Sequence, residues 1–560
     1  MSCCERTLSR PAPPGAGLFL PLRSVLGVLN NATFAVMVPR APAAQFPASP
    51  YPRVAARLTF SSMQTSASTH PIGRYRWAIC ALLFFCTTIN YIDRNSLSVL
   101  KTTIEQELNW SEADYGWVAF AFTAAYAMFP SIIGRFIDRF GVKASLAGAL
   151  IMWSLMAMAH GLVSTVFGFA AVRFMLGAAE AANFPASIKA VAMWFPQKER
   201  ALATGVFNSG TNVGVMGSFA VVLLAEHFGW KWAFIAIGAV GFAWLAFWQR
   251  WFDSPEKSAR LGAAELNYIR SGQPPGQEKL NLPWTTLLRY KQIWPFLLAK
   301  LLTDPVWWFY LYWLPSYLSK ERGRDPLKSA LLIGAIYTGA SIGSIVGGWF
   351  SGFLIGRGWT VGKARYAAML LPAVFMPLTI VAYYTTSFPL CVALITLATS
   401  CHQAWSANVF TTATDLFPSR VSGSVVGLGA TTGGIGGMFM TLLAAMTIQW
   451  TGNQQLIFVW AGLMHPLSLL VFWLWLGTNF QTANVDVRPD ESRRHNALVT
   501  AGGLLALLGL VLVAVIWRNW DVCIAAAKLS GAAQAATAAC GVIGIGAALL
   551  YAGLPKRTTA

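Results

Sequence analysis

Charged residues are scarce in this chain of 560 residues. Asp, Glu, Lys and Arg make up 11% of it, against about 25% in an ordinary soluble domain. Hydrophobic residues make up 56%, and the mean hydropathy is +0.52. This composition nearly rules out a soluble enzyme or a nucleic-acid-binding protein. We expect an all-α membrane protein, with room for a dozen or more spans of about 20 residues each.

Motifs for catalysis and cofactor binding are also missing. The eight cysteines show no CxxC spacing, so we expect no metal site. The six histidines form no HExxH motif, and no GxxxxGK[ST] loop is present to bind a nucleotide phosphate. We therefore expect no enzymatic activity and no cofactor. The net charge of +19 is expected to set the orientation in a membrane rather than to bind nucleic acid.

Apolar runs separated by charged loops predict two sets of six spans. The first set is predicted at 77–99, 115–133, 144–160, 166–193, 201–225 and 232–248, and the second at 293–318, 330–354, 366–384, 389–417, 421–449 and 456–475. These sets define two predicted halves at 74–249 and 293–480, with a cytoplasmic central loop at 250–292 between them. A charged linker at 481–496 leads to two additional candidate spans within 497–554.

Residues 1–62 differ from the rest of the chain. They are rich in Pro, Ala and Arg, and Glu5 is their one acidic residue. An Arg-rich, acid-poor stretch of this kind is typical of a targeting segment, or it is a disordered or wrongly annotated extension. We favour the extension, because Met63 opens a short polar leader that runs directly into the first predicted span.

Loop charges predict the orientation of the spans. With a cytoplasmic N-terminus, the six cytoplasmic loops hold 19 Lys and Arg, whereas the external loops hold 8. Lys and Arg concentrate on the cytoplasmic side of membrane proteins, so this orientation is consistent.

A repeat with an offset of 222 residues relates the two predicted halves. Phe195-Pro196 recurs as Phe417-Pro418. At the same offset, two glycines of the first half fall on two of the second, Gly205 on Gly427 and Gly214 on Gly436. Glycines are common in membrane helices in any case. Even so, six plus six spans around a long central loop are typical of two pseudo-symmetric halves that move around a central site.

Charged residues inside the predicted spans are the leading functional candidates, because each costs about 3 kcal/mol to insert. They are Asp93 and Arg94 in span 1, Arg173 and Glu180 in span 4, and Lys300 and Asp304 in span 7. Lys189 and Asp415 lie near span ends, where we expect them to be interfacial. Asp304 precedes Pro305, so it can instead satisfy a break in the helix.

Arg94 and Arg173 are predicted at similar depths in the outer half of the membrane, since a helix rises 1.5 Å per residue. Two guanidinium groups from different helices form an anion site, because each can bind a carboxylate through two hydrogen bonds. A carboxyl group in a low-dielectric site can exchange a proton near neutral pH. Protonation of Asp93 or Glu180 would thus free an arginine for an anion. The alternative is that each acid simply pairs with one arginine as a structural link between helices.

The segment from Gly134 to Lys143 resembles the loop signature of the major facilitator superfamily. The resemblance implies a gating or locking role for Gly134, Asp138, Arg139 and Gly141. The corresponding segment of the second half, 348–365, lacks the aspartate, which weakens any symmetric locking role.

The segment from Asn90 to Arg94 resembles the anion:cation symporter family of this superfamily, and Tyr126 and the Arg173–Glu180 spacing match its sugar-acid branch. In the second half, 303–310 and 402–408 resemble hexuronate transporters. The resemblance covers about 74–480 and implies proton coupling through Asp93 and Glu180. It also implies substrate contacts from Arg94, Tyr126 and Arg173, and we expect Tyr91 to contact the substrate as well.

Polar and aromatic residues near these positions suit a ligand with several hydroxyl groups. They are Asn208, Thr211 and Asn212 in span 5, Trp307 and Tyr310 in span 7, and Ser406 and Asn408 in span 10. For each aromatic residue, packing against lipid is an equally good interpretation. For His402, we favour a structural hydrogen bond over a proton relay.

We therefore expect a transporter of the bacterial inner membrane that imports a sugar acid, most simply a hexuronate such as glucuronate or galacturonate, together with protons. Its expected partners are a small organic anion, a proton and the lipid bilayer, and we expect a monomer. The same fold with an aldonate, an aldarate or an aromatic carboxylate as its substrate is one alternative. A membrane sensor that does not transport is another.

Overall fold

The computed structural model describes residues 72–271, 282–318, 326–451, 454–477 and 480–486. Every regular element in these segments is helical. The predicted extension at 1–62 and the two additional spans within 497–554 lie outside the described residues, as does most of the predicted linker at 481–496.

The helices follow the hydropathy pattern. Before the central hydrophilic stretch they are α1 (Tyr75–Val99), α2 (Lys101–Leu108), α3 (Glu112–Phe140), α4 (Val142–Ala159), α5 (Val166–Glu180), α6 (Asn183–Trp194), α7 (Gln197–Gly217), α8 (Phe219–Phe228) and α9 (Trp230–Trp251). Next to it or within it lie α10 (Ala263–Arg270) and α11 (Trp284–Leu287). After it come α12 (Ile293–Ser316), α13 (Pro326–Gly356), α14 (Val361–Phe375), α15 (Leu378–Tyr384), α16 (Phe388–Leu416), α17 (Ser422–Thr451) and α18 (Gln455–Leu476).

Among the described residues, nine helical stretches are long and apolar enough to cross a membrane. Each of the first twelve predicted spans overlaps one helix or two consecutive helices. The fourth span differs from the prediction, because a turn at Ala181 and Ala182 divides it into α5 and α6. Pro185 lies in the first turn of α6, where the N–H that proline lacks would have no partner within the helix.

Two seams join the helices before the central stretch to those after it. In one, α7 packs on α13, and in the other α3 packs on α17. A Cβ atom at Gly205 of α7 would meet the backbone carbonyl of Ser344, and one at Gly427 of α17 would meet that of Pro130. The two glycines that the repeat aligns therefore allow equivalent close contacts, one in each seam.

The second aligned pair of glycines behaves in the same way within each set. Gly214 of α7 lies against Thr88 and Tyr91 of α1, and Gly436 of α17 lies against Leu301 and Pro305 of α12. Each glycine thus brings its helix close to the first long helix of its own set, as small residues do at membrane helix interfaces.

One seam closes at the end of the bundle where α1 begins, which we term the basic end after the Lys and Arg of its loops. The Asp138 carboxylate of α3 accepts hydrogen bonds from the backbone N–H groups of Gly423 and Ser424 at 3.0 and 2.7 Å. It also accepts one from Lys189 Nζ at 2.5 Å. Asp138 therefore caps the start of α17, where backbone N–H groups have no partner inside the helix. Gly134 faces the carbonyl of Gly423.

The other two residues of the predicted loop motif lie at the surface of the same end. Gly141 ends α3 and precedes α4 with a φ of +88°, a conformation that glycine adopts readily. Arg139 is exposed, and its guanidinium lies 5.3 Å from the centre of the Phe140 ring.

The other seam is closed at the basic end by different groups. Arg365 Nε donates to the Asp415 carboxylate at 2.8 Å, and Arg365 Nη2 donates to the Gln197 carbonyl at the start of α7 at 3.1 Å. Arg200 Nη1 donates to the Thr414 carbonyl at 3.1 Å. Lys189 and Asp415, which we expect to be interfacial, both lie at this end of the bundle. They are 7% and 3% exposed, because each has an oppositely charged partner inside the seam.

The short helix α10 binds the starts of α1 and α7. Its Glu265 carboxylate accepts hydrogen bonds from the backbone N–H groups of Tyr75 and Arg76, both at 3.1 Å, and so caps α1. Tyr268 donates its hydroxyl to Glu199 of α7 at 2.7 Å. Burial and this hydrogen bond raise the pKa of Tyr268. Part of the central stretch is therefore fixed to the first set of helices.

The contact at Gly214 gives a test of the packing. We expect Gly214→Ala to destabilise the protein by about 1–3 kcal/mol, because the added Cβ would lie 2.5 Å from the Thr88 carbonyl oxygen. The measurement is the melting temperature in detergent. The matched control is Gly148→Ala in α4, where no atom lies within 4 Å of the added Cβ. There alanine should stabilise the helix by up to about 1 kcal/mol. Equal melting temperatures for the two variants would contradict the contact.

Candidate functional site

Two cavities meet at Arg94. The inner one has a volume of about 70 Å³ and is lined by polar and aromatic side chains from both sets of helices. The outer one, about 740 Å³, lies toward the end opposite the basic end, between residues of α1, α3, α5, α12 and α17. Arg94 lines both cavities.

Seven of the predicted substrate-binding residues line the inner cavity. They are Tyr91, Arg94, Tyr126, Asn208, Thr211, Trp307 and Ser406. Since α1, α3, α7, α12 and α16 supply them, the cavity lies between the two sets of helices that the sequence predicts as halves.

The Arg94 guanidinium forms an ion pair with Glu180 inside the bundle. Its Nε and Nη2 atoms both donate to Glu180 Oε2 at 3.1 Å, and Nη2 also donates to Asn90 Oδ1 at 3.2 Å. The Glu180 side chain is fully buried, and its Oε1 accepts no hydrogen bond from the residues that the structure describes. One carboxylate oxygen of Glu180 therefore binds the arginine, while the other can still accept hydrogen bonds.

Aromatic rings surround the same guanidinium. The Arg94 Cζ atom lies 4.1 Å from the centre of the Tyr126 ring, 4.5 Å from that of Tyr91 and 5.3 Å from that of Phe122. Ring faces attract a cation and exclude water without supplying a competing anion. The arginine is thus kept charged and oriented beside the cavity.

Arg173 and Asp93 lie close to this pair but are bonded differently. Arg173 Nη1 donates to the Arg94 carbonyl at 3.3 Å, and its guanidinium lies 5.5 Å from the centre of the Phe122 ring. Arg173 Nε has no hydrogen-bond partner in the described part of the chain, and neither has either carboxylate oxygen of Asp93. The alternative in which each acid pairs with one arginine is therefore wrong for Asp93. Arg173 lines the outer cavity.

Two of the three predicted polar residues of α7 face the inner cavity. Asn208 Nδ2 donates to Gln403 Oε1 at 2.6 Å and to Ser344 Oγ at 3.1 Å, so it links the two sets of helices. The Thr211 hydroxyl is buried, without a partner among the described residues. Asn212 does not line either cavity, and its amide atoms are also buried without partners in the described segments.

Tyr310 and Asn408 do not line the inner cavity. Tyr310 packs in the apolar core of the second set, with its hydroxyl 3.2 Å from Thr379 Oγ1. Asn408 Nδ2 donates to the Gly347 and Ala404 carbonyls, both at 2.9 Å, and so contacts α13. These contacts are of the kind that stabilise helix packing.

The inner cavity also contains residues outside the predicted site. Lys300 and Asp304 line it, together with Trp308, His402 and Gln403. Lys300 Nζ lies 2.6 Å from Asp304 Oδ2. In the sequence, the charges of Lys300 and Asp304 inside an otherwise apolar helix indicated that these two residues could belong to the site. The suggestion that Asp304 satisfies a broken helix is wrong, because α12 is continuous from Ile293 to Ser316. His402 Nδ1 lies 3.1 Å from His465 Nε2, in agreement with a structural hydrogen bond.

Buried charged groups define the chemistry of the site. The described residues contain no cluster of His, Cys, Asp or Glu that could hold a metal ion. What they contain is a buried arginine that one carboxylate neutralises, a second arginine beside it, and an unbonded carboxylate next to both.

Comparisons with known proteins identify the family of this chain. The profile of the Major Facilitator Superfamily matches residues 83–441. The chain is 28% identical over 393 residues to the D-galactonate transporter of Escherichia coli O6:H1, which covers 68% of this chain and 91% of that protein. It is 29% identical over 413 residues to the hexuronate transporter of Escherichia coli K12, which covers 71% of this chain and 93% of that protein.

A solved structure of a proton:xylose symporter bound to 6-bromo-6-deoxy-D-glucose matches the fold with a TM-score of 0.59. Its sequence identity is 14%, and the match covers 72% of this chain and 96% of that one. The chain therefore belongs to the Major Facilitator Superfamily, and it is a multi-pass membrane transporter rather than an enzyme.

Proposed function

We propose that this transporter imports a sugar acid together with protons, with a hexuronate such as glucuronate or galacturonate as its substrate. The observation that carries the proposal is the Arg94–Glu180 ion pair at the inner cavity, with the unbonded Asp93 carboxylate beside it. The relatives carry the names of sugar-acid transporters, which supports the substrate class. The nearest alternative is another organic anion: an aldonate, an aldarate or an aromatic carboxylate.

The ion pair explains how a proton and an anion can be coupled. While Glu180 is ionised, it occupies the Arg94 guanidinium and leaves no net charge for a second carboxylate. A proton taken up by Glu180 removes that competition, and the substrate carboxylate then takes its place on Arg94. Release of the proton on the other side restores the ion pair and expels the substrate. One anion and one proton thus cross with no net charge at this pair.

Asp93 and Arg173 would take part in the same coupling of a proton to an anion. Asp93 lies on α1 next to Arg94, and Arg173 holds the Arg94 carbonyl. A carboxylate buried without hydrogen bonds is costly, so its protonation depends strongly on the charges around it. The proton-coupling role of both acids and the substrate contact of Arg173 belong to this proposal.

The positions of the contacts support alternating access. The predicted halves, 74–249 and 293–480, meet at the basic end through Asp138 on one seam and through Arg365 on the other. If the basic end is cytoplasmic, as the loop charges predict, the structure is closed toward the cytoplasm, and the outer cavity is the entry route. Transport then requires both seams to open, and Gly134, Asp138, Arg139 and Gly141 would govern one of them.

Gradient-driven uptake tests proton coupling. In proteoliposomes with an acidic exterior, we expect the protein to accumulate labelled glucuronate, because protonation of Glu180 frees Arg94 on the side of entry. Glu180→Gln should retain exchange of labelled for unlabelled substrate but lose accumulation. The matched control is Glu226→Gln, an exposed position in α8. Accumulation that ignores the pH gradient would reject proton coupling, and the lack of any uptake by the wild-type protein would favour a sensor.

Arginine-to-lysine exchange tests the anion site. We expect Arg94→Lys to weaken binding of the sugar acid at least about tenfold, because lysine is a point charge and loses the paired donors of the guanidinium. Arg173→Lys should also weaken it. The measurement is the ligand-induced rise of the melting temperature at several concentrations. The control is Arg270→Lys, whose side chain is 54% exposed in α10. Unchanged affinity in Arg94→Lys would remove Arg94 from the site.

A further inference from the structure

We propose that Lys300 and Asp304 bind the hydroxyl-bearing end of the substrate, and that the Asp304 carboxylate rejects acids that carry a carboxylate at both ends. This inference rests on the proposed sugar-acid transport and adds the feature that decides which sugar acids are accepted. It concerns a pair of charged groups that the coupling mechanism does not use.

The ion pair itself joins no second helix. Lys300 and Asp304 lie four residues apart on α12, and the distance from Lys300 Nζ to Asp304 Oδ2 is 2.6 Å. Lys300 also contacts the Phe410 ring of α16, but that contact needs no carboxylate, so a structural link alone does not account for two charges inside a membrane span. Such residues normally face a cavity, and both of these line the inner one.

The two charges differ in how they meet the cavity. The Lys300 side chain is 4% exposed, and its ammonium lies 3.6 Å from the centre of the Phe410 ring, which fixes its position. The Asp304 side chain is 21% exposed. The carboxylate is therefore the more accessible group, and the lysine lies behind it as its partner.

Glycines of α17 make room for this arrangement. A Cβ atom at Gly433 would collide with the Asp304 carboxylate, and one at Gly437 would lie 2.8 Å from the Trp308 ring. The side chains of Asp304 and Trp308 thus occupy space that any larger residue at these positions of α17 would take. The Asp304 carboxylate is consequently held in place beside the cavity.

Charge and hydrogen-bonding chemistry define the ligand end that fits. A carboxylate accepts hydrogen bonds from hydroxyl groups, and a lysine donates to hydroxyl oxygens, so the pair suits the neutral end of a sugar acid. Trp307 and Trp308 add ring faces in the same cavity. A second carboxylate would instead meet the like charge of Asp304, and such repulsion is an effective way to exclude a wrong ligand. The substrate would lie with its carboxylate at Arg94 and its hydroxyl end at α12.

The test compares two acids of identical stereochemistry, D-galactonate and galactarate, which differ only in the oxidation of the terminal CH₂OH group to a carboxylate. Their competition against labelled galacturonate uptake gives a preference ratio. We expect the wild-type protein to prefer galactonate at least about tenfold, and Asp304→Asn to reduce that ratio at least about tenfold, since Lys300 is then free for an anion. Lys300→Gln should move the ratio the opposite way, because it leaves Asp304 without its counter-charge.

The matched control is Asp253→Asn, which removes a surface carboxylate whose side chain is 44% exposed. A ratio that stays at the wild-type value in both Asp304→Asn and Lys300→Gln would overturn the inference while leaving sugar-acid transport intact. A wild-type preference for galactarate would overturn it as well. If the wild-type protein carries no sugar acid at all, the proposed function fails first, and this inference falls with it.

Discussion

The buried ion pair between Arg94 and one of the two nearby acids is the interaction on which the proposed site depends. Glu180 forms the ion pair, and Asp93 lies next in sequence to Arg94 without a hydrogen bond from any described residue. Far from water, each unpaired charge is expensive, so in the proposed mechanism the site takes up a proton and an anion together. The aromatic rings around Arg94 strengthen this link, because they shield the cation but cannot replace an anion.

The closure at the basic end shows that equivalent positions can be held by unrelated groups. On one seam Asp138 caps α17 directly. On the other, the segment 348–365 lacks an aspartate, yet Arg365 reaches the start of α7 and is itself held by Asp415. The absence of an aspartate therefore does not leave that seam open, and the two seams are closed by different groups. The Gly205 and Gly427 contacts provide the shared part of the two seams, and the polar groups provide the part that differs.

Hydropathy was sufficient to predict the helices, because the cost of exposing backbone groups to lipid leaves few alternatives. The charged residues of the spans also indicated the site, since Arg94 and Lys300 both line the inner cavity. The sequence could not predict which acid pairs with Arg94, because that depends on the rotation of α1 and α5 and on side-chain rotamers. For the same reason Tyr310 and Asn408 are predicted among the substrate residues, although Tyr310 contacts Thr379 of α15 and Asn408 contacts Gly347 of α13. Gln403 was missed as a site residue because an amide in a helix carries no signal as strong as a charge.

Arg94 lies at the junction of the two cavities, and this location determines the order in which a solute contacts the charged, polar and aromatic groups. If the outer cavity is the entry route, as we propose, a molecule that arrives through it meets the guanidinium groups of Arg173 and Arg94 before it reaches the other side chains of the inner cavity. Selection by electrostatics thus precedes selection by shape. In the proposed mechanism a neutral sugar cannot take the place of Glu180 at Arg94, because it carries no negative charge.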